Sequence, residues 1–270
     1  GFNTFDFRNG GSDSLKTFFA RTGNNFTGRM LIDDIYIDAN NQNLSNPGAD
    51  CNDEAPTNWT TVETFNSLSN GTIDGKSGWD STGGAKIAGD PADSSNKVMV
   101  LDEFETRAYK ALPNQISNSS AGTLFFRLRR DGAVDGFGGL ADVAAPDAWN
   151  DFENQFGSQS QTTSVFTVRD ADSFRTSSGG FSDNTWYCVW IVTNNTSDEY
   201  TVYVKGGQYS SQTQVIAGGL SNFEFRNGGS DSLRTFYART GNNFSGRMLI
   251  DDIYLLHDSE SLSQPVSSCS

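Results

Sequence analysis

Apolar side chains along this chain recur mostly at every second position, the period of a strand with one face turned inward. In LFFRLRR (124–130), Leu124, Phe126 and Leu128 fall on one side and Phe125, Arg127 and Arg129 on the other. In SVFTVRD (164–170), Phe166 and Val168 oppose Val165, Thr167 and Arg169. WYCVWIV (186–192) is apolar on both sides, as a central strand of a sandwich should be, and NNTSDE then turns it into YTVYVKGG. TTVETFNSL, NKVMVLDEF and TRAYKAL read as further strands. The Gly/Asp-rich stretch 70–96 reads as an excursion. Residues 134–157 read as a loop, with a short helical turn hinted at in APDAWNDFENQFG. About a dozen short strands with no amphipathic helix of useful length predict an all-β jelly-roll sandwich of two antiparallel sheets.

One stretch occurs twice. Residues 5–38 and 223–256 differ at six of 34 positions, and all but Asp38/Leu256 keep charge, hydroxyl or bulk. The offset of 218 residues continues into the tails, where Pro47 and Cys51 match Pro265 and Cys269. A repeat that includes its linker implies tandem modules. We therefore expect residues 1–38 to be the closing β-meander of a preceding module and 39–58 to be a linker. A complete module would follow over 59–258, with a linker tail over 259–270. Gly1 falls inside a strand-like segment, so residue 1 is not expected to be a natural start.

Composition narrows the class. Phe (20) far outnumbers Trp (5), and the 28 Gly accompany much Ser, Thr and Asn, which fits a secreted, extracellular or cell-surface β protein. A net charge of −14 argues against nucleic acid and anionic membranes as partners, and no run of apolar residues is long enough to span a bilayer. The acidic excess serves solubility, with calcium binding as the alternative. Of three cysteines, Cys51 and Cys269 occupy equivalent linker positions and Cys188 lies in a strand; a linker cysteine can bridge to Cys188, to its counterpart in a neighbour, or to nothing.

Taken together, VETFNSLSNGTIDGKSGW, NTWYCVWIV, DEYTVYVKGG and MLIDDIYLL resemble the concanavalin A-like lectin/glucanase superfamily, including LamG-like modules. The likeness is to jelly-roll modules attached to secreted polysaccharide-degrading or adhesive bacterial proteins. It implies two curved sheets and a concave face that often binds glycan. It also supplies tests for catalysis. Retaining glucanases of this fold carry E-x-D-x-x-E, with carboxyls about 5.5 Å apart; LDEFETR offers Asp102, Glu103 and Glu105 but has Phe104 where the middle acid belongs. Alginate lyases carry a strand like YVKGGQY (203–209), but they pair its tyrosine with a histidine, and the single His here, His257, follows the last strand. We expect no enzyme, with a polysaccharide lyase as the remote alternative.

Binding is the better-supported chemistry. Arg127, Arg129 and Arg169 fall opposite the apolar rows, so adjacent strands would raise an arginine patch for the uronate or sulfate of an anionic polysaccharide; cross-strand pairing with Asp or Glu is the plain alternative. Trp79, Trp149 and Phe152 are candidate platforms for sugar faces, or plugs of the sandwich ends. Trp186 and Trp190 read as core. In the resembled fold a structural calcium ion often bridges the first and last strands, which points to Glu63, Asp251 and Asp252. The Asn-X-Ser/Thr sequons carry weight only in a eukaryotic host, and the chain reads as bacterial. The leading expectation is a noncatalytic polysaccharide-binding module. The other is a filament or adhesion subunit, in which residues 1–38 complete a neighbouring copy by strand donation.

Overall fold

The computed structural model describes residues 59–159, 164–229, 231–243 and 245–269, within the compact unit 52–270. Residues 1–38 and the linker 39–58, and with them the proposed strand donor and Cys51, lie outside the described residues.

Two antiparallel sheets face each other. The larger begins with β1 (Thr60–Glu63) and β2 (Gly71–Thr72), the smaller with β3 (Trp79–Thr82). The chain returns to the larger sheet with β4 (Lys86–Gly89) and β5 (Lys97–Leu101), crosses for β6 (Arg107–Ile116), and crosses back for β7 (Ala121–Asp131). The next four strands stay in the smaller sheet: β8 (Gly136–Ala141), β9 (Asn154–Ser158), β10 (Val165–Asp170) and β11 (Ser173–Gly180). β12 (Thr185–Asn194), β13 (Glu199–Gly206), β14 (Tyr209–Gln214) and β15 (Phe223–Glu224) stay in the larger. The two sheets then receive one strand each, β16 (Leu233–Thr240) in the smaller and β17 (Arg247–Leu256) in the larger. The smaller sheet has the order β11-β10-β9-β8-β16-β6-β3 and the larger β14-β13-β12-β7-β17-β5-β4-β2, with β1 added on β17 and β15 on β13. This is the jelly-roll sandwich that the alternation predicted.

The predicted faces are those observed. Leu124, Phe126 and Leu128 of β7 and Phe166 and Val168 of β10 lie in the core between the sheets, with Val189, Phe236 and Ile250. Each such side chain, fully buried, contributes roughly 1.5–3 kcal/mol. β12 sits between β7 and β13, as its two apolar faces require. The short helical turn falls at Trp149–Asp151.

Several expectations change: the stretch 70–96, read as an excursion, holds β2, β3 and β4. Residues 134–157, read as a loop, hold β8 and β9. GFGGLA shows little β-propensity, because glycine stands where a neighbour's backbone comes close: a Cβ on Gly139 would lie 2.0 Å from the Asn154 carbonyl oxygen. Within the second repeat copy, the expected meander is not one. β16 lies between β8 and β6 and β17 between β7 and β5, so the segment crosses from one sheet to the other and fills a central slot in each.

The tail is not loose. Cys188 on β12 is bonded to Cys269, with Cα atoms 5.2 Å apart. The tail after β17 passes over the outer face of the larger sheet, where Phe125, Trp190 and Cys269 cluster with Trp59, Tyr203, Tyr254 and Val266. Trp190 Nε1–H donates to the Ser263 carbonyl at 2.9 Å and Trp59 Nε1–H to Ser263 Oγ at 2.9 Å. The tail, expected to be a linker, therefore forms a strap that belongs to this module.

Candidate functional site

The expected arginine patch is split between two sheets. Arg127 and Arg129 stand on the outer face of β7 in the larger sheet, while Arg169 stands on the outer face of β10 in the smaller. Alternation fixes the face of a residue but not the sheet its strand joins, and the chain changes sheets after Asp131.

On the larger sheet the arginines are neutralised. Arg127 Nη2 lies 3.0 Å from Asp251 and its Nε 3.2 Å from Asp252, and its guanidinium lies 4.7 Å from the centre of the Trp186 ring. Arg129 Nε lies 2.6 Å from Asp131, which also holds Arg247 at 2.8 Å. Burial, reinforced by the charge of Asp252, pushes Asp251 up to about 7 against the pull of Asn96 and Arg127. Trp186 donates its indole N–H to Asp90 at 3.0 Å. Arg127, Arg129, Trp186, Asp90 and Asp251 are 8% or less exposed, and the charges pair with one another or with Asp131 and Asp252, which is the cross-strand pairing named as the alternative.

The three acids assigned to calcium are not brought together either. Glu63 faces away from the outer surface, accepting from Lys110 at 2.9 Å and from the Trp79 indole at 3.3 Å, whereas Asp251 bonds Asn96 at 2.8 Å and Arg127. Register shifts at Thr61/Glu63 and between Asp251 and Tyr254 separate side chains that plain alternation would align. Among the described residues no group of three His, Cys, Asp or Glu is placed to hold a metal ion. Trp79 is 1% exposed, with its ring between Phe65 and Phe236; it plugs the sandwich.

The outer face of the smaller sheet is different. Tyr237, Gly139 and Gln155 follow one another across β16, β8 and β9; Arg239, Phe137 and Gly157 form the adjoining row. Gly139 and Gly157 leave a floor without side chains, and rings lie over it. Phe152 stacks on Tyr237 at 4.2 Å, Trp149 meets Phe137 edge-on at 5.9 Å, and Phe137 stacks on Phe174 of β11 at 5.5 Å. Trp149 is half-buried, and its ring lies 4.9 Å from the Arg239 guanidinium. A cleft of about 370 Å³ opens beside this strip, lined by Phe137, Trp149, Phe174, Arg169, Arg226 and Asp135 among others.

Titratable groups flank it. Burial, then the nearby charge of Glu105, pushes Asp135 up to about 6. Burial pushes Glu153 up to about 7 despite hydrogen bonds from Asn227. The acids considered for glucanase chemistry lie elsewhere: residues 102–106 form the turn between β5 and β6 rather than a strand, with Asp102 on Lys86 at 2.6 Å and Glu105 on Arg239 at 2.6 Å. In YVKGGQY, Lys205 donates to Gln264 at 3.0 Å, and Gly206 and Gly207 make the turn. Of the residues singled out from sequence, Arg169, Trp149 and Phe152 fall on this face. Phe137, Phe174 and Arg226 were missed, although the alternation of Phe137, Gly139 and Ala141 in GFGGLA carried the signal for the first.

This architecture is the concanavalin A-like lectin/glucanase fold. Peanut lectin, solved with a nonamer peptide, superposes with a TM-score of 0.51 over 73% of this chain and 96% of its own, at 15% identity. Lectin II of Ulex europaeus gives 0.47 over 73% and 98%, at 8% identity. The catalytic domain of a glycoside hydrolase family 131 protein from Coprinopsis cinerea gives 0.44 over 68% and 80%, at 11% identity. No protein-family model matches the sequence, and no curated protein does.

Proposed function

We propose that this chain is a noncatalytic polysaccharide-binding module of a secreted, tandem-repeat bacterial protein, and that it binds through the cleft on the outer face of the smaller sheet. The observation that carries the reading is the pair of half-buried rings Phe174 and Trp149, braced by the buried Phe137 between them, along one wall of an open cleft. Stacking of rings on the apolar faces of sugars, with polar groups at the margin, is how such clefts grip glycans. The Cys188–Cys269 bond favours an oxidising compartment. The engagement of Asp102 by Lys86 and of Glu105 by Arg239 supports the noncatalytic part of the reading.

Affinity electrophoresis of the full chain through gels containing neutral and acidic polysaccharides tests the proposal. We expect retardation by at least one polymer, a roughly tenfold weaker interaction for Trp149→Ala, and no new reducing ends or unsaturated products. Free migration through every gel would end the reading, and product release would end its noncatalytic part.

A further inference from the structure

The cleft is a cationic spot on a strongly anionic chain, and its two arginines are treated unlike most others. Arg127, Arg129, Arg130, Arg239 and Arg247 each lie within 3.0 Å of a carboxylate oxygen. Arg169 instead donates its Nε–H to the Ala171 carbonyl at 2.7 Å, and Arg226 donates to the Trp149 carbonyl at 2.6 Å. Carbonyls position a guanidinium without cancelling its charge. The acid nearest Arg169, Asp172 at 3.7 Å, has a side chain 98% exposed, where water screens it. The two cations are also close enough to disfavour each other: the Arg226 pKa is lowered first by burial and next by the charge of Arg169.

The surroundings suit a sugar that carries a charge. Arg169 lines the cleft with its guanidinium carbon 4.7 Å from the Phe174 ring centre, and a guanidinium so placed offers forked hydrogen bonds to an anion that enters. Beside it stands Gln155. The Tyr200 hydroxyl ties the two backbones together, donating to the Arg169 carbonyl and accepting from the Gln155 N–H at 3.5 Å. Gln155 is fully buried, alternation against the core residue Phe156 puts it on the outer face, and neither its Nε2 nor its Oε1 has a partner among the described residues.

We propose that the cleft takes an acidic sugar residue, with the carboxylate or sulfate of the glycan held by Arg169 and Arg226 and the apolar ring face set against Phe174 and Trp149. The proposal rests on the glycan-binding reading above and adds the substrate class. Asp135 lines the same cleft and opposes a second anion there, so a single charged sugar fits better than a densely charged run.

The test uses the full chain in titration calorimetry against a polyuronate, a sulfated galactan and a neutral β-glucan, each at 20 and 300 mM NaCl. Wild-type protein is expected to prefer one of the acidic polymers over the neutral one by at least about tenfold at low salt, and to lose most of that preference at high salt. Which acidic arm binds identifies the anion. Arg226→Gln and Arg169→Gln, each checked for an unchanged melting temperature, are expected to weaken acidic binding about tenfold. If Arg169→Gln fails to fold, Arg226→Gln and the salt series decide. Equal binding of neutral and acidic polymers, or Arg226→Gln binding like wild type, overturns the acidic class and leaves the glycan reading standing. Binding to none of the three overturns both.

Discussion

Breaking the bond between Cys188 and Cys269 is expected to cost the module a large part of its stability. The two residues are 81 positions apart, so the oxidised unfolded chain carries a closed loop of that length. In the chain-entropy treatment such a loop destabilises the unfolded state by about 4.5 kcal/mol at 25 °C. For a domain of this size that corresponds to a drop in melting temperature of roughly 10–15 °C. A second effect is local: without the bond, the end of the strap keeps its ties through Ser263, Gln264 and Val266, and further back through Ser259 and Ser261 on Thr123 and Leu262 on Gln212, but loses its covalent anchor. Differential scanning calorimetry of the oxidised chain against the Cys188→Ala/Cys269→Ala variant measures the first effect; removing both thiols also prevents exchange with Cys51. Tryptophan emission reports the second, because Trp59 and Trp190 lose their Ser263 partners when the strap leaves. A melting temperature within 2 °C of the oxidised protein would refute the reasoning, since the strap's own contacts would then suffice.

Three other perturbations follow from the geometry. Arg127→Met leaves Asp251 and Asp252 buried beside each other without their cation and should cost about 3–5 kcal/mol in urea denaturation; adding Asp251→Asn should restore part of the loss. Glu153 binds its proton more tightly in the folded state, its pKa being raised from 4.5 to about 7 chiefly by burial, so its contribution is complete below about pH 4.5 and lost as pH rises through 7. The urea midpoint should accordingly rise from pH 7.5 to pH 5, with a shallower rise in Glu153→Gln; equal slopes would remove Glu153 as the cause. Gly157→Ala places a Cβ 2.0 Å from the Gly136 carbonyl oxygen and should cost at least about 1–3 kcal/mol by forcing β8 and β9 apart, read as a lower melting temperature.

What could be read from the sequence was local. A period of two told which way Leu124, Arg127, Phe166 and Arg169 point, and a strand apolar on both sides told that β12 is interior. The sheet to which each strand belongs was not written in that period. Arg127 and Arg169 look alike in sequence yet stand on opposite outer faces, one paired with Asp251 and the other held by a carbonyl. Strand β8 was hidden because its glycines answer to the backbones and rings of other strands. Trp79 looked like a platform in a Gly-rich stretch, but Glu63 and Phe65, distant in the fold's layout rather than in the pattern, draw it into the core. Glu63 in turn is carried away from Asp251 by bulges that no propensity reveals.

Trp59, where the described module begins, touches Ser263 of its tail, and both lie on the back of the larger sheet. The two ends of the described module are thereby latched to each other and to Trp190, so loosening either one loosens the other while leaving the aromatic cleft on the opposite sheet undisturbed.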